Sequence, residues 1–100
     1  MTEDDKLYVE IDRARQAQDL IEHPLWREAW DTYHQRLQAE WSASPARDTE
    51  GRERIWLMLK SAEVAEQHLK ELIETGKMAT LQLDRKRSAI ERAKGWISAL

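Results

Sequence analysis

An all-α fold is predicted by three properties of the sequence. Apolar residues recur at three- and four-residue steps through most of its length, the period of a helix face. Only three glycines and two prolines interrupt 100 residues. Charged side chains make up 35% of the chain against 41% hydrophobic ones, a balance that suits long amphipathic helices rather than strands and turns. The expected architecture is an antiparallel helical hairpin of residues 24–41 and 49–75, flanked by an N-terminal helix and a basic C-terminal helix. Within one domain this gives an N-terminal helix over 1–22, a hairpin core over 24–76 and a tail over 77–100.

The first helix is expected from about Asp4 to Glu22, where Leu7, Ile11, Ala14, Ala17 or Gln18, and Ile21 fall on one face. It stops at "IEHPLW", because Pro24 lacks an amide hydrogen and pushes His23 out of the helical region. Proline also suits the first turn of a following helix, so a second helix should run from Pro24 to about Trp41. Trp26, Trp30, Tyr33, Leu37 and Trp41 step by four, three, four and four along it, a large apolar stripe. Each such aromatic contributes a few kcal/mol when buried, at roughly 25 cal/mol per Å². Base stacking is the other use of an aromatic ladder, but it needs interleaved cations. Here only Arg27 and Arg36 accompany Glu28, Asp31 and Glu40, so packing is the expected role.

"WSASPAR" is a short polar connection of a length that suits an antiparallel turn between helices. Asp48 then stands where an N-cap belongs, with Thr49 as the alternative, and Glu50 and Glu53 lie near the positive end of the helix dipole. The third helix should extend from about Thr49 to Glu74. Ile55, Leu59, Ala62, Ala65, Leu69 and Leu72 or Ile73 recur near the 3.5-residue spacing of a coiled-coil seam. Ala62 and Ala65 would let the bulky rings of the second helix approach. "ETGKMA" places Gly76 where a left-handed C-cap residue is wanted. Beyond it Met78, Leu81, Leu83, Ile90, Trp96, Ile97 and Leu100 resume the pattern as a fourth helix from about Leu81, interrupted by "DRKRS" and weakened by Gly95.

Composition bounds function. Without cysteine, disulfides, thiolate chemistry and cysteine zinc sites are excluded. The acidic start "MTEDDKLYVE" has no apolar core of a signal peptide, and the longest uncharged apolar run, Ile55 to Leu59, is far short of a membrane span. A chain with no membrane association and an intracellular location is expected. No phosphate-binding glycine loop, nucleophile elbow or H-E-x-x-H pattern occurs. Asp31 and His34 are three apart, but a di-metal bundle needs Glu-x-x-His twice and two further carboxylates. His68 reads as a surface or partly packed histidine, and His23 is explained by its place before proline. Neither a catalytic site nor a cofactor or metal is expected.

Charge is polarised along the chain. Residues 1–76 hold ten Lys/Arg against seventeen Asp/Glu, whereas residues 77–100 hold six against two. Such a tail can pair subunits head to tail or face an acidic surface or nucleic acid. Arg85, Lys86, Arg87, Arg92 and Lys94, with Trp96, are the candidate partner or nucleic-acid contacts. A chain of this length buries little core by itself, so a homo-oligomer is expected.

The run from Asp19 to Ala79, above all "RDTEGRERIW" and "ETGKMA", resembles a family of small tailed-bacteriophage proteins, over about three fifths of the chain. The resemblance implies a neighbourhood of head and DNA-packaging functions, a location in host cytoplasm or virion, and a phage head or packaging protein as partner. It carries over no active-site residue. Two expectations follow: an assembly protein, such as a small-terminase-like subunit whose oligomer core is built from helical hairpins, or a nucleic-acid-binding module using the basic tail. A pI near 5.6 weighs against the second. The helix, break and helix of residues 4–41 also make a poor helix-turn-helix, because the second of these helices turns its aromatic side to packing and carries more acid than base.

Overall fold

The computed structural model describes residues 1–100 and consists of helices and short connections, with no strand. Helix α1 spans Glu3–Glu22, α2 spans Pro24–Ala43, and α3 runs without a break through Thr49–Ala99. Each start has a chemical cause. Thr2 and Asp5 close a capping box on α1, with the Thr2 hydroxyl accepting from the Asp5 amide and the Asp5 carboxylate accepting from the Thr2 amide. At α2 the extended His23 is the N-cap: its Nδ1 accepts from the Leu25 amide at 3.1 Å, and Pro24 follows in the first turn. Asp48 caps α3 by accepting from the Gly51 amide at 3.1 Å.

Pairs across the molecule fix how these helices lie. Asp4 meets Lys86, Ala14 meets Gly76, Trp30 meets Glu66 and Ser44 meets Arg52. Numbers rise on one side as they fall on the other, so α1 and α2 lie in sequence along α3, antiparallel to it. The result measures 80 × 26 × 23 Å with a radius of gyration of 22.3 Å, against about 13 Å for a compact chain of this length.

The two stretches of this packing differ in kind. Along α1 the contact is made by small residues: Ala17 and Ala79 are buried, and Gly76 lies beneath Ala14. Side chains of that size let helix axes come close. Along α2 the spacers are large. Trp26 and Trp30 stack at 5.3 Å with planes 12° apart, and the Trp30 indole donates to Glu66 Oε2 at 3.0 Å. Leu37 and Ala62 are the buried residues there. Six residues in the whole chain are buried, so the core is a seam rather than a centre.

Several expectations are corrected. Helix α3 does not end at Glu74, and Gly76 is not a left-handed cap: no glycine has a positive φ, and helix continues through it to Ala99. Position 76 belongs to the seam, which runs Arg52, Ile55, Leu59, Ala62, Glu66, Leu69, Ile73, Gly76, Ala79, Leu83 and Lys86, all wholly or partly shielded. The separate C-terminal helix is thus the far end of α3, and "DRKRS" passes through it as helix. Tyr33 and Trp41, expected in the core, stand at the surface, while Trp26, Trp30, Ile55, Leu59, Leu69 and Leu72 are only half-buried. Ala65 is exposed, because Glu66 takes the seam position beside it.

Candidate protein-docking surface

Two surfaces of the rod stand out, one at each end. At the loop end, Arg52 reaches back from the first turn of α3. Its Nη1 donates to the Ser44 carbonyl at 3.2 Å and the Ser44 hydroxyl at 3.1 Å, and its guanidinium lies 4.0 Å from the centre of the Trp41 ring. This clasp holds the connection shut and presents Trp41 beside Trp56. Gln38, Trp41, Ser42, Trp56 and Leu59 line a shallow groove between α2 and α3. Trp56, Leu57 and Met58 are exposed next to it. Arg52 escaped the sequence reading because its role depends on a partner eight residues away across a turn, which periodicity does not report.

At the opposite end, the residues expected to make external contacts separate into two groups. Lys86 is engaged within the chain: its Nζ lies 2.9 Å from Asp4 Oδ1 and 3.4 Å from Glu3 Oε1. The Asp4 hydrogen bond, with help from that of Glu3, holds the ammonium above the usual lysine range. Gln82 donates to Glu3 alongside at 2.9 Å. Arg85, Arg87, Arg92 and Lys94 form no ion pair, and Trp96 is 81% exposed. The structure therefore gives five of the six candidates to solvent and one to α1.

The histidines stand apart from the acidic side chains. The His34 ring Nδ1 lies 2.9 Å from the Trp30 carbonyl rather than turning to Asp31, His68 is exposed, and no three His, Asp or Glu side chains converge as metal ligands. Asp12 is held below the ordinary carboxylate range by hydrogen bonds from Arg15 and then Gln16, all on the outer face of α1. No helix is long and apolar enough to cross a membrane. No family model, curated protein or solved structure matches the chain.

Proposed function

We propose that this protein is a non-enzymatic assembly factor, a helical hairpin that self-associates and docks on a further protein. One observation carries the reading. The chain exposes 8201 Å², whereas a compact monomer of its 11.8 kDa exposes about 5,900 Å². The excess of roughly 2,300 Å² is of the size that a subunit of an obligate complex hides. Exposed Trp41, Trp56, Leu57 and Met58 supply apolar area for it at the loop end. The resemblance of residues 19–79 to tailed-phage proteins supplies the setting: assembly or DNA packaging, in host cytoplasm or virion, in the manner of a small-terminase-like subunit.

Sedimentation equilibrium tests this directly. The expected mass at micromolar concentration is a multiple of 11.8 kDa. A strictly monomeric chain at high concentration would falsify self-association. Nucleic-acid binding is the second reading, favoured by the four unpaired cations at the C-terminal end of α3. It requires a DNA mobility shift that weakens steeply with salt and disappears when Arg85, Arg87, Arg92 and Lys94 are neutralised together.

A further inference from the structure

We propose that the end of α3, from Arg87 to Leu100, is a docking helix whose occupant is an acidic amphipathic helix of a partner protein. This rests on the docking role proposed above and gives it a surface and a chemistry.

Helix α1 begins at Glu3, opposite Lys86, so the last stretch of α3 projects past the end of its own partner helix. Every residue from Arg87 to Leu100 is exposed. Yet the apolar pattern of the covered seam does not stop there. Leu83 and Lys86 are followed by Ile90, Ala93, Ile97 and Leu100, at steps of four, three, four and three. With Ala89 and Trp96 at its edge, the stripe stays on the side of α3 that α1 covers further back. Ile97 is 71% and Ile90 55% exposed, on a helix end that ordinarily frays unless docked. The uncovered stripe is thus continuous with an interface already present in the fold.

The flanks define what can lie on it. Arg87 and Lys94 are seven residues apart along one edge of the stripe, Ala89 and Trp96 along the other, and Arg85 and Arg92 lie further round on the outer face. Arg87 and Lys94 hold the kind of position that selects a partner by charge in paired helices. None of the four cations is paired within the chain. At the last covered position the fold shows the complementary half of such a contact. Lys86 takes the carboxylates of Glu3 and Asp4, at the start of a helix that lays Leu7 on the seam. The occupant that fits the projecting stretch is a helix of the same type, with apolar residues at three- and four-residue steps and carboxylates on the flank that meets Arg87 and Lys94. A second copy of the same stretch would set Arg87 against Lys94, like against like. A nucleic acid would satisfy the cations but leave Ile90, Trp96 and Ile97 in water.

The test uses the full chain and three labelled probes followed by fluorescence anisotropy: a helical peptide with leucine at seam positions and glutamate at the flanks, the same peptide with lysine flanks, and a short DNA duplex. The glutamate peptide should bind at least about tenfold more tightly than the lysine peptide, a margin of about 1.4 kcal/mol. The double variant Arg87→Glu/Lys94→Glu should reverse that preference. Ile97→Asp should abolish peptide binding while leaving helix content and sedimentation mass unchanged. Equal binding of the two peptides, or binding that survives Ile97→Asp, overturns the assignment. Tighter binding of the duplex than of the glutamate peptide assigns the stretch to nucleic acid instead. A fall in mass on Ile97→Asp assigns it to a second copy. Monomeric mass with selective peptide binding would remove self-association alone; an oligomer without peptide selectivity would remove this surface alone.

Discussion

A hydrogen atom in place of a methyl group at position 76 decides how near α1 can lie to α3. A Cβ built on Gly76 would collide with the Ala14 methyl and crowd the Glu10 carbonyl at 3.3 Å. Helix propensity favours alanine over glycine by up to about 1 kcal/mol, but overpacking a fitted interface costs about 1 to 3 kcal/mol. The clash should win, so Gly76→Ala is expected to lower the melting temperature by several degrees, read by circular dichroism. An unchanged or higher melting point would show that the helices separate freely there. Lys86 offers a second test. Its folded-state pKa is raised, chiefly by Asp4, so its contribution is complete below the normal lysine pKa and is lost as pH rises through the folded value. Between pH 9 and strongly alkaline solution, the native chain should lose more stability than Lys86→Met. Parallel losses in the two proteins would contradict the pairing. Both residues were only partly legible in sequence. "ETGK" carries the letters of a helix terminus, and the distinction between cap and close contact rests on a neighbour 62 positions earlier. Lys86 was grouped with the free cations because charge runs do not reveal which member meets α1.

At the scale of elements, the helix starts were readable and one helix end was not. His23 and Asp48 accept from backbone amides two or three positions on, Pro24 opens its helix by its fixed φ, and such local chemistry is written in the sequence. The continuation of α3 past Gly76 goes with α1 lying against it, a tertiary contact that overrides the local terminus signal of "ETGK". The aromatic stripe of α2 was also visible. Its burial was overestimated, because a single opposing helix covers only one side of a large ring. Leu37, at 4% exposure, is the best-shielded side chain of α2. Leu37→Ala should therefore cost about 2 to 3 kcal/mol of stability. Trp56→Ala, at a half-exposed position, should cost under about 1 kcal/mol but reduce sedimentation mass if the loop-end surface joins copies. Denaturant melts and sedimentation on the two variants would expose a reversed order.

For the whole molecule, the helical class was legible, whereas the length of the rod was not, since it follows from one long-range pairing that keeps α3 straight. A fold with six buried residues has little core of its own, so association should supply stability. Its melting temperature should climb as protein concentration increases; a value independent of concentration would place all the stabilising contacts within one chain. The unbroken run of 51 residues in α3 has one more consequence. At 1.5 Å per residue it sets roughly 76 Å between the clasped turn and the projecting tip, like the leg of a caliper. Seven extra residues spliced in beyond Lys86 would move the tip outward by about 10 Å and leave its bearing nearly unchanged, while two would turn it to roughly the opposite side with only about 3 Å added reach.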